Sequence, residues 1–155
     1  MPFRATGLSL SPFEALFGLD DAELARRGIR RITADSKPGF PCRVSLEDAE
    51  PGERLLLLAY EHQDADSPYR ASGPIFVREQ AGEPFDRIGV VPPVLRGRLL
   101  SLRAYDEVGL MVDAEIISGD EVEAAVERFF ARDDVSYLHV HNAKRGCFAC
   151  RIDRA

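Results

Sequence analysis

The sequence lacks the features of a membrane-bound or secreted protein. Its longest apolar run, Leu55–Ala59, covers five residues, whereas a transmembrane helix needs about 20. Residues 1–7 lack the apolar core and cleavage site of a secretory signal peptide. Cysteine is scarce and odd in number, at three residues, which argues against a framework of structural disulfides. We therefore expect a cytoplasmic protein with free or metal-bound thiols that does not associate with a membrane.

Positive charge is also limited. The chain of 155 residues has a formal net charge of −6 and contains lysine only at Lys37 and Lys144. A surface that binds nucleic acid needs a positive field, so we expect no nucleic-acid partner. Hydrophobic residues at 45% and charged residues at 30% are ordinary for a globular protein. The length predicts a single domain over residues 1–155 with a sizeable core.

The order of predicted elements indicates an α+β fold. Short N-terminal helices are predicted where Ser11–Glu14 and Asp20–Glu23 match helix-capping patterns. Apolar segments predict strands over Ile29–Asp35, Arg54–His62, Gly73–Glu79, Arg98–Tyr105 and Leu110–Ile117. One amphipathic helix is predicted near residues 119–132, followed by a C-terminal β-hairpin. We expect a largely antiparallel sheet or a partly closed barrel.

The C-terminal hairpin contains the most unusual group of side chains. It holds an H-x-H pair, His139 and His141, and a C-x-x-C pair, Cys147 and Cys150. Imidazole and thiolate are strong ligands for zinc and similar metals, and they are also partners in thiol catalysis. Residues i and i+2 of a strand share a face, so the two histidines can reach a common point.

The turn between the two pairs decides which cysteine joins the histidines. A loop over Asn142–Gly146 would place Cys147 opposite His141, with Arg151 on the same face. A loop shorter by one residue would bring Cys150 to the histidines instead, since a one-residue slip reverses the faces of a strand. A metal site that uses both cysteines needs residues 147–150 to curl into a knuckle.

Several interpretations of this hairpin stay open. One is a zinc site, with ligands from His139, His141, Cys147 and Cys150. Others are a Cys147 nucleophile with a histidine base, a redox-active cysteine pair, and a polar ligand-binding face. The commonest role of such residues is simpler, because cysteine and histidine often pack in a core without any chemistry.

The second notable segment is His62–Pro74, which contains a polar loop over residues 63–72. Guanidinium binds carboxylate or phosphate bidentately, so Tyr69, Arg70 and Ser72 are candidate ligand-binding residues, together with Arg151 of the hairpin. The alternative is a turn-rich connection without function. Our first hypothesis is a pocket for a small anionic molecule, in which His139 and Cys147 supply acid–base or nucleophilic chemistry. The rival hypotheses are a zinc-binding module and an interaction protein without chemistry.

Several longer strings carry a family resemblance that runs nearly end to end. They are Pro41–Leu46 with Asp48–Ala49 and Gly52–Glu53, Ser67–Val77, Arg103–Asp106, His139–Ala143 and Gly146–Cys150. In these strings the chain resembles a family known as a domain of unknown function, number 1203 in its series. The resemblance implies a single, bacterial, cytoplasmic domain. It implies no activity, and no catalytic residue follows from it.

Overall fold

The computed structural model describes residues 2–155, which form strands and short helices. The strands are β1 (Phe3–Thr6), β2 (Arg30–Thr33), β3 (Arg54–Gln63), β4 (Ala71–Arg78), β5 (Asp86–Ile88), β6 (Leu99–Tyr105), β7 (Met111–Ser118), β8 (Tyr137–Asn142) and β9 (Phe148–Arg154). The helices are α1 (Ser11–Glu14), α2 (Asp21–Arg26) and α3 (Val122–Phe130), with 3₁₀ turns at Ala15–Gly18, Pro93–Leu95 and Gly119–Glu121. In this part of the chain, no helix has the length and apolarity needed to cross a bilayer.

The strands form two antiparallel sheets. The larger sheet has the order β5-β1-β9-β8-β6-β7, and the smaller has the order β2-β3-β4. The predicted α+β fold with antiparallel pairing is confirmed, as is the C-terminal hairpin of β8 and β9. The sheets do not close into a barrel.

Helix α3 covers one face of the larger sheet. Its apolar residues recur at helical spacing and are all buried: Val122, Ala125, Val126, Phe129 and Phe130. They pack on Leu100, Leu102, Leu138, Val140 and Ile152 of the sheet. Burying each such large side chain contributes about 1.5–3 kcal/mol. Ser118 and Glu121 form the predicted capping box at the start of this helical segment.

The N-terminal helices pack on the smaller sheet. Leu24 of α2 and Phe13 of α1 join a core with Leu56 and Ile75 of the sheet. Asp20 caps α2 as predicted, because its carboxylate accepts from the Glu23 backbone N–H at 2.8 Å. The capping box predicted at Ser11–Glu14 is wrong, since Leu10 is the N-cap of α1 and makes no side-chain cap.

The second face of the larger sheet carries polar and aromatic residues. Successive strand residues alternate between faces, so Tyr137, His139 and His141 project away from α3. Their neighbours across the β6 ladder are Tyr105, Arg103 and Ser101. The end of β3, in the smaller sheet, covers this face. The two sheets therefore enclose a polar layer that contains both predicted histidines.

Backbone contacts near Gly7 and Arg43 hold the two sheets together. Leu8 N–H donates to the Arg43 carbonyl at 2.8 Å, and Phe85 N–H donates to the Val44 carbonyl at 2.9 Å. The Arg43 side chain is 2% exposed, and its Nε donates to the Phe148 carbonyl in β9 at 2.7 Å. These hydrogen bonds help to position the smaller sheet over the histidines.

Candidate metal centre

The three histidines of the chain meet between the two sheets. His139 and His141 come from β8, and His62 comes from the end of β3. Each offers a ring nitrogen, and these atoms all lie within 4.8 Å of one another. Because the sequence has only three histidines, their clustering is not explained by a high histidine content.

Each imidazole has a nitrogen without a hydrogen-bond partner among residues 2–155. These atoms are Nδ1 of His62, Nδ1 of His139 and Nε2 of His141, and all are buried. Buried polar atoms are normally hydrogen-bonded, and leaving one unpaired costs about 1–3 kcal/mol. Three clustered imidazoles, each with such a nitrogen, indicate a site for something that accepts their lone pairs or protons.

The backbone of the hairpin loop orients the His141 ring. Its Nδ1 lies 2.9 Å from the Gly146 carbonyl oxygen. Because a carbonyl only accepts, Nδ1 must carry the proton, and Nε2 keeps its lone pair. Gly146 has a φ of 77°, a left-handed conformation that glycine adopts without strain. Such a carbonyl contact is the usual way in which proteins fix the tautomer of a metal-binding histidine.

We expect His141 of the metal-free protein to be the Nδ1–H tautomer at neutral pH. Long-range ¹H–¹⁵N correlation spectra of the imidazoles measure this directly, because protonated and unprotonated ring nitrogens differ strongly in chemical shift. The chain has three histidines, so loss of one set of signals in His141→Asn assigns the ring. A protonated Nε2 in His141 would contradict the arrangement.

The histidines are held in their neutral form. Burial, followed by the positive field of neighbouring groups, lowers the pKa of His139 to about 3. Burial also lowers the pKa of His141 to about 4, and it lowers that of His62. Metal ions bind the neutral imidazole. The cluster is therefore ready to ligate at pH 7 without first losing a proton.

Aromatic rings enclose the cluster. Phe148 stacks on His62 with centroids 5.4 Å apart and ring planes at 5°. On the other side, Tyr105 stacks on Tyr137 at 5.3 Å, and the Gln63 amide donates to the Tyr137 hydroxyl at 3.0 Å. These rings restrict water, which strengthens electrostatic interactions inside the site.

Neither cysteine of the hairpin joins the histidines. His141 lies opposite Phe148, while Val140 lies opposite Cys150, with a bulge between the two pairs. Both predicted registers are therefore wrong. Cys150 is 1% exposed and packs in the core beneath α3, where burial raises its pKa to about 12. Cys147 lies in the loop, and its sulfur accepts from Asn142 Nδ2 at 3.4 Å.

The predicted ligand-binding residues are distributed unevenly around the site. Tyr69 reaches its rim, with its ring 6.3 Å from that of Tyr105. Arg151 lies 4.0 Å above the Tyr137 ring and binds Asp153.

The other predicted ligand-binding residues have partners outside the cluster or face solvent. Arg70 donates to the Asp64 carbonyl and lies 3.6 Å from Glu61. Ser72 is exposed on β4. The structure thus brings together His139 and His141, with Tyr69 and Arg151 at the edge.

The sequence reasoning assigned no role to two residues of the candidate site, His62 and Arg103. His62 ends a strand of the other sheet, and no local pattern connects it with β8. Arg103 lies directly opposite His139 in the β6–β8 ladder. The low histidine content was the one signal that could have found His62. With three histidines in 155 residues, each is a candidate for a shared site.

Comparison with protein families identifies a match over most of the chain. A family model described as "Protein of unknown function (DUF1203)" matches residues 39–154. The chain belongs to this family. The DUF1203 region contains all three histidines and Arg103, whereas β1, α1, α2 and β2 lie before it. No curated protein and no solved structure matches the chain.

Open depressions of the DUF1203 protein lie away from the histidines. One of about 430 Å³ is lined by residues 51–54, 79 and 80. Another of about 470 Å³ is lined by residues 106–108, 112, 133–136 and 154. The histidine cluster is instead enclosed, with His139 2% and His141 1% exposed. An enclosed cluster suits an ion or a ligand of few atoms.

Proposed function

We propose that this DUF1203 protein binds one divalent transition-metal ion of the zinc class through His62, His139 and His141. The observation that carries the proposal is the convergence of every histidine in the chain, each with an unpartnered buried nitrogen. Imidazole favours zinc and neighbouring transition metals, whereas magnesium and calcium favour oxygen ligands.

The spacing of the nitrogens supports this proposal. A tetrahedral ion with metal–nitrogen distances of about 2.0–2.1 Å holds its ligand atoms about 3.3 Å apart. One ring nitrogen of each histidine lies within 4.8 Å of those of the other two, so each separation must shorten by at most about 1.5 Å for one ion to bind all three. The ion would join the smaller sheet to the larger one, since the ligands come from β3 and β8.

The number of ligands favours an open site over a structural one. Structural zinc sites use four protein ligands, whereas catalytic sites use three and leave a position for water or substrate. Neither cysteine completes the set, because Cys150 faces the core and Cys147 lies in the loop. When bound, such an ion supplies a Lewis acid that polarises a coordinated oxygen. We therefore place the protein among metal-dependent small-molecule binding or hydrolytic proteins, rather than among interaction proteins without chemistry.

Calorimetric titration of the untagged, chelator-stripped protein with Zn²⁺ tests the proposal. We expect one equivalent to bind. At a free concentration 100 times the Kd, binding stabilises the folded state by about 2.7 kcal/mol, which corresponds to a rise in melting temperature of about 5–10 °C for a chain of this size.

Single variants identify the ligands. His62→Ala and His139→Ala should each weaken Zn²⁺ binding at least tenfold, because each removes one of three ligands. Cys147→Ser is the matched control and should bind as the wild type does. Binding that is lost in Cys147→Ser but retained in both histidine variants, or no binding by the wild type, would contradict the proposal.

A further inference from the structure

Arg103 is a partly buried arginine beside the histidines. It lies opposite His139 in the ladder, so their Cβ atoms are about 4.5–5.5 Å apart on the same face. Its Nε donates to the Ser101 hydroxyl at 3.3 Å. Among the described residues, its terminal guanidinium nitrogens bind no carboxylate and no carbonyl. The fork formed by these two nitrogens is therefore free to bind a ligand.

Four other arginines that are partly or fully buried, Arg31, Arg43, Arg78 and Arg98, differ from Arg103 in their hydrogen-bond partners. Arg31, Arg78 and Arg98 each bind a carboxylate, from Asp21, Glu53 and Asp48 respectively. Arg43 donates to the backbone carbonyls of Phe148 and Pro41. Removing a charged group from water without full hydrogen-bonding is costly. Arg103 differs from these arginines because, within residues 2–155, only its Nε has an acceptor, the Ser101 hydroxyl.

The charge around the site points to an anion. The three imidazoles are neutral, and no carboxylate belongs to their cluster. On the same face of the larger sheet, the carboxylate of Asp153 already binds Arg151, and that of Asp86, farther away on β5, binds Arg4. A bound divalent ion and Arg103 would together place three positive charges in an enclosed space. An anionic ligand would neutralise much of this charge.

We infer that the open metal position takes an oxygen of a small oxyanion, a carboxylate or phosphate group, whose other oxygen accepts from the terminal nitrogens of Arg103. This inference rests on the proposed function, because it requires the bound ion. Guanidinium binds carboxylate and phosphate through parallel N–H···O bonds. The ligand enters beside His62 and Arg103, which retain exposed surface, and the rings of Phe148 and Tyr105 limit its size.

Cobalt substitution provides a direct measurement. Co²⁺ replaces zinc in such sites, and its visible absorption changes when the fourth ligand changes. We expect acetate or inorganic phosphate to shift the spectrum of the Co²⁺-loaded protein in a saturable way. Perchlorate at equal ionic strength should not, because it coordinates poorly. The stronger of the two probes identifies the carboxylate or the phosphate as the preferred group.

Arginine variants separate the role of Arg103 from general charge effects. Arg103→Gln should weaken anion binding at least tenfold and leave Co²⁺ affinity equal or tighter, since it removes a neighbouring positive charge. Arg103→Lys should retain part of the anion affinity. Arg30→Gln, an exposed arginine of β2, controls for net charge and should bind the anion as the wild type does.

The possible failures are distinguishable. If Co²⁺ binds but neither anion changes its spectrum, the inference is wrong and the metal site stands. If Arg70→Gln weakens anion binding and Arg103→Gln does not, the anion belongs to the 63–72 loop and the inference is also wrong. If Co²⁺ itself fails to bind, the proposed function and the inference fall together.

Discussion

Acidification should destabilise the metal-free protein by about 3 kcal/mol between pH 6.5 and pH 5. The pKa values of His139 and His141 are lowered to about 3 and about 4 in the folded protein, whereas an unfolded histidine has a pKa of about 6.5. Below pH 6.5 the unfolded chain therefore binds protons that the folded chain does not. Stability that is fully present above pH 6.5 is lost as the pH falls towards the folded values.

Urea unfolding followed by circular dichroism at pH 7, 6.5, 6, 5.5 and 5, with a chelator present, measures this loss. Each histidine whose folded pKa lies below the pH contributes up to about 1.4 kcal/mol per pH unit. The chosen range lies above the ordinary pKa values of Asp and Glu, so their protonation contributes little. His139→Gln/His141→Gln is the control. It keeps only His62, whose pKa burial also lowers, so its stability should fall much less over this range than that of the wild type. Equal slopes in the two proteins would show that the histidines are not kept neutral by burial.

Strand periodicity correctly predicted that two residues of the candidate site share a face. His139 and His141 share a face because they are two residues apart in a strand, and that follows from the sequence alone. Helix α3 followed in the same way from the spacing of Val122, Val126 and Phe129 and from its capping box. The shared face of the two histidines and helix α3 could both be predicted because each depends on a local pattern within about ten residues.

The faces on which Cys147 and Cys150 lie could not be predicted, because the hairpin contains a bulge. Phe148, Ala149 and Cys150 are all residues that pack well on either face of a strand, so the hydrophobic pattern does not fix the register. One extra residue in β9 places Phe148 opposite His141 and turns Cys150 towards α3. A bulge of this kind redirects side chains, and here it leaves the candidate site with histidine nitrogens and no cysteine sulfur.

The third histidine depended on tertiary structure. His62 reaches β8 only because the smaller sheet packs across the larger one. That packing depends on Arg43, which is buried and donates to the β9 backbone. Charged residues are almost never fully buried, so a sequence pattern would assign Arg43 to the surface. Sequence reasoning therefore identified two candidate ligands from one strand, but it could not identify the candidate from the second sheet.

The contact between the sheets should be sensitive to one added methyl group at Gly7. A Cβ at this position would lie 2.0 Å from the Val44 carbonyl oxygen and 2.9 Å from its carbon. Both are backbone atoms, so a side-chain rotation cannot relieve the overlap. Gly7→Ala should therefore lower the free energy of unfolding by about 2–4 kcal/mol.

The same substitution should weaken Zn²⁺ binding, because the displaced segment includes Arg43, whose side chain holds the Phe148 backbone beside the histidines. Gly18→Ala is the matched control, since a Cβ there meets no atom within 4 Å, and its stability should stay within about 0.5 kcal/mol of the wild type. Urea unfolding and calorimetric titration of both variants measure the two effects. Equal stability of the two variants would show that the backbone at Gly7 yields easily. A destabilised Gly7→Ala with unchanged Zn²⁺ affinity would show that the His62 ring is positioned by β3 itself, independently of the contact between the sheets at Val44.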